Sequence, residues 1–252
     1  MFSILIPTCI QRLSITKDLI LQIIKTNPQT IKDNLLKIYM TLHIPRLDKH
    51  NAKIIEELSY IKEIKIIYPK NTHISKNLNI MLTTALHENI SDELYLIKID
   101  DDTYPLENDW LNVYREVYNR IPGVGVLYSC KTLTEIYERL LNNIGITSQE
   151  KSGMLMFFNR KIINKLGGFQ ELLDPYGNED LDFLLRSELS GLNNYGVLRT
   201  GDHGISVKHG KEVYPKLNSC FDKNARELAQ EKFQSIKKEY LTKNRSTKIY
   251  LE

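Results

Sequence analysis

No apolar run in this 252-residue chain approaches the roughly 18 residues that a membrane-crossing helix needs, so no transmembrane segment is expected. Cysteine is scarce. Cys9, Cys130 and Cys220 are odd in number and far apart, which argues against a disulfide framework or a close-spaced metal motif and fits a reducing compartment. A surplus of one charge is missing as well. Lys and Arg number 34 against 31 Asp and Glu, and a net charge of +3 is too small to argue for nucleic acid. Glycine is absent between Pro7 and Arg12, directly after the first apolar stretch, so no glycine-rich phosphate loop follows it. Repeats, low-complexity tracts and long linkers are missing too. Phe2 already belongs to the first strand, so no signal peptide is expected and a soluble, cytoplasmic protein is. With 42% apolar and 26% charged residues, the length suits one large domain or two small ones.

What is present is an alternation of periods. Apolar strands at Phe2–Ile6, Leu35–Leu42, Ile64–Tyr68 and Leu94–Ile99 are separated by helical spacings. Ile15, Leu19, Ile20, Ile23 and Ile24 mark one helix, with Pro28 just past its end. Ile54, Ile55, Leu58 and Ile61 mark another, with Asp48 or Asn51 as cap. Leu78, Met81, Leu82, Ala85 and Leu86 mark a third. The pattern predicts an α/β fold with a mostly parallel central sheet flanked by helices. Further on, a helix capped by Asn108 or Asp109, a strand at Val124–Tyr128 and an amphipathic helix over Leu133–Ile144 are expected. A strand at Met154–Phe158 and a short helix ending at Gly167-Gly168 follow. Next come a helix from Glu179 to Leu189, β-like pieces near Val197 and Val207, and a charged helical tail. The expected organisation is one catalytic domain over 1–222, its halves meeting at 102/103, and a helical tail over 223–252.

The organising stretch is Leu94 to Pro105, an apolar strand that ends in Asp100, Asp101 and Asp102. Three adjacent carboxylates repel one another unless a counter-charge joins them. A hard divalent cation, Mg²⁺ or Mn²⁺, is the usual remedy. Ligands of open α/β sheets bind outside the carboxyl ends of the strands, where this cluster falls. Strand alternation points Asp100 and Asp102 to one side and Asp101 to the other. The bland alternative is a solvated acidic turn.

A second cluster opens the helix after Tyr176-Gly177-Asn178. Glu179 and Asp180 gain there from the helix dipole, and as plain caps they need no further role. Two adjacent carboxylates also allow one to orient a hydroxyl while the other takes its proton. At 3.6 residues per turn Asp182 diverges from Asp180 by about 200°, so both cannot face one cleft. Asp180 and Glu179 are expected at an exposed rim. His209 follows a β-like run and suits a transition metal, with His203 as a rival.

In this order, the segments resemble family 2 nucleotide-sugar glycosyltransferases with a GT-A fold, over roughly residues 1 to 215. Ser3-Ile4-Leu5-Ile6-Pro7-Thr8 is similar to the family's first strand, and Ile74-Ser75-Lys76-Asn77-Leu78-Asn79 to its Ala-Arg-Asn-x-Gly segment. Lys76 there replaces the usual arginine and Asn79 the usual glycine. Asp100-Asp101-Asp102 matches the Asp-x-Asp signature, Gly167-Gly168-Phe169-Gln170-Glu171 the Gly-Gly-Phe-Asp-Glu segment, and Gly177-Asn178-Glu179-Asp180-Leu181-Asp182 the Gly-Glu-Asp-x-Asp segment. The resemblance implies an inverting transfer from a nucleotide-sugar donor, a UDP-sugar first of all, to a hydroxyl of a glycan or other acceptor, with Mn²⁺ or Mg²⁺ as cofactor. It implies that Asp102 and His209 hold the metal. Pro7, Thr8, Arg12, Lys76, Asn77, Asp100, Asp101 and Gly168 would contact the nucleotide or substrate. Asp180 would be the base and Glu179 its orienting partner. A modified DNA base as acceptor stays open without being favoured, since the tail lysines are interleaved with Glu231 and Glu239. A nucleotidyltransferase and a non-catalytic binding protein are the rivals.

Overall fold

The computed structural model describes residues 1–70, 73–129, 138–140, 144–147, 153–173, 177–199, 207–209, 223–242 and 245–251. In chain order these form β1 (Phe2–Cys9), α1 (Leu13–Thr26), α2 (Pro28–Lys32), β2 (Leu36–His43), α3 (Lys49–Ser59), β3 (Ile64–Ile67), α4 (Ile74–Glu88), β4 (Tyr95–Ile99) and β5 (Thr103–Pro105). There follow α5 (Trp110–Arg120), β6 (Val124–Ser129), β7 (Glu138–Leu140), β8 (Ile144–Thr147), β9 (Leu155–Asn159), α6 (Arg160–Leu166), α7 (Glu179–Leu189), β10 (Asn193–Arg199), β11 (Val207–His209) and α8 (Lys223–Leu241).

Among the described residues one sheet of nine strands runs in the order β3-β2-β1-β4-β9-β6-β10-β8-β7, and β11 pairs with β5 in a small second ladder. The pairings β3-β2, β2-β1 and β1-β4 are parallel, whereas β9 lies antiparallel to both β4 and β6. The chain leaves β1 toward β2 on one side and reaches β4 on the other. The crevice beyond the carboxyl ends of β1 and β4 is therefore the switch point at which such sheets bind ligands.

Period-2 alternation divides the core between two faces. Tyr95, Ile97 and Ile99 of β4 join a cluster with Leu19, Ile20 and Ile23 of α1, Leu58 of α3, and Trp110 and Tyr114 of α5. Leu96 faces the other way, into a cluster with Leu78, Met81 and Leu82 of α4, Ile162 and Leu166 of α6, and Phe183 and Leu184 of α7. Each fully buried side chain of this size contributes about 1.5–3 kcal/mol. Lys98 shares the Leu96 face. It is 1% exposed, a charge beneath α7.

The structure departs from the sequence expectations at several places. Where a helix over Leu133–Ile144 was expected, β7 and β8 form an antiparallel pair that extends the sheet from β10. Ile144, Ile146 and Thr147 are β-branched, and a free sheet edge offers them a ladder that helical periodicity cannot register. Pro28 does not merely follow α1; it opens α2, where a first-turn proline loses no hydrogen bond. α3 is capped by Asp48, whose carboxylate accepts from the Asn51 amide at 2.8 Å. The tail helix α8 stops at Leu241. Residues beyond it return to the body, where Ile249 forms a parallel bridge with Gly167. Cys130, Cys220, Tyr176 and His203 lie outside the described residues.

Candidate active site

β1 runs through Thr8 and turns over Ile10–Arg12, so that Arg12 stands at the entry to α1. Hydroxyl contacts fix this corner: Thr16 Oγ1 donates to the Arg12 carbonyl at 3.0 Å and lies 2.7 Å from Thr8 Oγ1. β4 ends at Ile99, and the chain then turns, with the Thr103 amide donating to the Asp100 carbonyl at 3.0 Å. The turn is pinned to the start of β9, because the Asp100 amide donates to the Met154 carbonyl at 2.9 Å. Strand alternation stops where the turn begins, which corrects the expected arrangement of the triplet. Asp101 and Asp102 share Arg12, at 2.6 and 2.5 Å, while Asp100 pairs with Lys98 at 2.5 Å. Thr8 Oγ1 adds a hydrogen bond to Asp101 at 2.8 Å.

Burial dominates the titration of Asp100 and Asp101. Asp101 is 3% exposed, and desolvation pushes its pKa up to about 7 against the opposing pull of Arg12 and Thr8. Asp100 is likewise raised by burial, opposed by Lys98. Burial also works against the charge on Lys98, but Asp100, then Glu179 and Asp180, outweigh it and raise its pKa.

α7 brings the second acidic cluster to the same lysine. Gly177 and Asn178 both take positive φ, 101° and 64°, which sets the angle of entry into the helix. Phe183 and Leu184 then pack on the sheet. Glu179, expected at an exposed rim, is instead buried at 6% exposure, 4.0 Å from Lys98, and its Oε2 has no hydrogen-bond partner. Glu179 lies on the side of the first turn that faces the sheet, whereas Asp180 lies on a more open side. Desolvation, then Asp180, raises the Glu179 pKa, and Lys98 opposes them. Asp180 is half-buried and lies over Gly153; a Cβ at that glycine would come within 1.5 Å of Asp180 Oδ2. Asp182 is turned away and fully buried, held by Arg186 at 2.7 Å.

The remaining expected residues divide. Pro7 and Thr8 are half-buried at the end of β1, and Lys76 and Asn77 lie in the first turns of α4, Lys76 exposed and Asn77 buried. β3 runs parallel to β1 and β4 through the sheet, so the start of α4 opens at the same carboxyl edge as the Asp turn. Gly168, expected at the substrate, has its backbone spent on packing: its amide donates to the Ile249 carbonyl and its carbonyl accepts from Arg186. Asn79, where glycine was the expected type, clamps the same turn through hydrogen bonds to both the amide and the carbonyl of Phe169. The backbone of His209 pairs with Thr103, the residue after Asp102. Sequence reasoning missed Lys98. Its signal was a lysine interrupting an apolar strand, in a sheet buried on both faces.

No protein-family profile and no curated protein sequence matches this chain. Solved structures do. TarS of S. aureus, residues 1–349 in complex with UDP-GlcNAc, matches at a TM-score of 0.54 and 14% identity, over 86% of this chain and 61% of that one. GalNAc-T7 with UDP, GalNAc and Mn²⁺ matches at a TM-score of 0.58 and 13% identity, over 78% of this chain and 42% of that one. A further TarS structure is covered over only 36% of its length, so this chain spans less than two thirds of each of these neighbours. At these identities the likeness is one of fold, and the fold is that of GT-A glycosyltransferases.

Proposed function

We propose that this protein is a metal-dependent, inverting glycosyltransferase related to family 2. It moves a sugar from a nucleoside-diphosphate donor, a UDP-sugar in the first instance, to a hydroxyl of a glycan or other acceptor. The observation that carries the reading is the meeting of two acidic clusters at the switch-point edge, where Asp100 of the first and Glu179 of the second both reach the buried Lys98. A solvated acidic turn or a plain helix cap would not bring a carboxylate from each cluster to one buried cation.

The residues fit a cation shared with the substrate. Among the described residues no group of three or more His, Cys, Asp or Glu could enclose a metal ion. Nucleotide-bound Mg²⁺ and Mn²⁺ need no such cage, because one or two protein ligands and the phosphates suffice. Asp102 supplies hard oxygen, and β11 carries His209 alongside. These two would hold the ion. When bound, it would neutralise the charge that builds on the departing diphosphate.

The protein's own groups do the rest. Arg12, already on Asp101 and Asp102, offers a guanidinium to the phosphates. Thr8, Lys76 and Asn77 line the nucleotide side together with Asp100 and Asp101. Glu179, buried and with one free oxygen, orients the acceptor hydroxyl, and the more accessible Asp180 takes its proton as the sugar centre becomes oxocarbenium-like. Attack from the face opposite the leaving group inverts the anomeric centre, and alignment of both substrates supplies much of the rate. A panel of nucleotide-sugars with Mn²⁺ tests the reading. Release of nucleoside diphosphate supports it; release of pyrophosphate, or of nothing, overturns it.

A further inference from the structure

Lys98 belongs to none of the roles just assigned, yet it touches both acidic clusters. Its Nζ donates to Asp100 Oδ1 at 2.5 Å and to the Gly153 carbonyl at 2.7 Å, and lies 4.0 Å from Glu179 Oε1. The side chain is 2% exposed, so no solvent shares its charge. Each contact leads to a different part of the site. Asp100 begins the turn that carries Asp101 and Asp102. Gly153 is the floor under Asp180, with no room for even a methyl group between them. Glu179 opens α7.

We propose that Lys98 is a positioning residue that locks the donor-side turn to the acceptor-side helix. It makes the distance between leaving group and base a property of one buried ammonium. The inference deepens the glycosyltransferase reading and rests on it. A lysine held for packing alone would call for apolar neighbours, whereas this one has polar partners from three separate segments. A lysine held only to neutralise Glu179 would not need the Gly153 carbonyl or Asp100.

The test compares Lys98→Met, Glu179→Gln and the double variant, each with its melting curve, UDP affinity by calorimetry, and kcat at saturating donor and acceptor. Lys98→Met keeps most of the length of the side chain and removes the charge. In a folded Lys98→Met protein, kcat is expected to fall by about 10²-fold or more, in the range of misplaced general bases, with a smaller loss in UDP affinity. A kcat within about threefold of the parent overturns the proposal. Should Lys98→Met fail to fold, the double variant decides, because it removes the buried carboxylate charge together with the lysine. A double variant at least tenfold slower than Glu179→Gln alone supports positioning. Equal rates mean that Lys98 only balances Glu179, and the proposal falls. The parent protein separates the two ideas: if it transfers no sugar, the glycosyltransferase reading fails by itself. UDP affinity then judges Lys98, and an unchanged value in a folded variant overturns its hold on the donor-side turn.

Discussion

At the scale of single residues, burial assigns work to carboxylates that look alike in sequence. Asp180, Glu179 and Asp182 occupy one helical turn, yet the first is half-buried, the second faces Lys98, and the third is bound to Arg186. Asp180→Asn is expected to cut transfer by about 10²-fold or more while calorimetry finds UDP affinity nearly unchanged. Near-normal turnover in that variant, with Glu179→Gln inactive, would reverse the two roles. Glu179 also predicts a pH effect. Its pKa is raised above the ordinary 4.5 by burial, so the folded state holds its proton more tightly than the unfolded chain. The stabilisation is complete below the ordinary value and is lost as the pH climbs toward neutrality. The melting temperature of the metal-free protein should therefore decline over that interval, and Glu179→Gln should flatten the decline. Equal slopes would show that Glu179 ionises like an exposed carboxylate. The acidic triplet and the Glu-Asp pair were each legible because charge at a strand end or helix start is visible in the chain, whereas Thr8 entered only through the resemblance of the first strand. The pairings of the carboxylates were not legible, because Lys98 and Arg12 meet them only through the register of β1 and β4.

At the scale of elements, the stretch after α8 behaves as a strap. The Ile249 amide donates to the Leu166 carbonyl at 2.8 Å, the Gly168 amide donates to the Ile249 carbonyl at 3.1 Å, and Arg186 reaches the Thr247 carbonyl at 3.3 Å. Removing residues 245–252 forfeits these bonds, at about 1 kcal/mol each, and strips cover from the turn. A fall in melting temperature of several degrees is expected, with α8 retained by circular dichroism; an unchanged melt would make the strap incidental. Gly167→Ala alone is expected to cost about 3 kcal/mol, as much as losing the three strap bonds together, read as a lower melting temperature. Its φ of 73° disfavours any side chain, and a Cβ would fall 1.3 Å from the Ile249 carbonyl oxygen. The glycine pair was readable as a helix stop, but its partner was not, since nothing local links Gly167 to Ile249. For the same reason β1 to β4 followed from their alternation with helices, whereas β7 and β8 owe their form to a ladder with β10.

At the scale of the whole molecule, the candidate site draws on both the parallel strands and the segments that follow them. The parallel half brings Thr8, Arg12 and the Asp turn, and the remainder brings Gly153 and α7. A donor held by both should stabilise the whole fold. With metal present, UDP at 100 times its dissociation constant should add about 2.7 kcal/mol to unfolding stability, read as a higher melting midpoint. Excess chelator should remove most of that gain while leaving the unliganded midpoint in place, and Asp102→Asn should remove most of the gain as well. An equal gain in chelator would show that the nucleotide binds without the ion. The strap also bears on how the protein is made. β1 to β4 can pair as soon as the first hundred or so residues have emerged from the ribosome, which adds them at roughly 5–20 per second. Arg186 cannot complete its set of carbonyl partners until Thr247 has been added. A nascent chain arrested short of that residue would already hold α7 through its packing on the sheet and the Arg186 bonds to the Leu166 and Gly168 carbonyls, so the strap closes over a helix that is seated before it arrives.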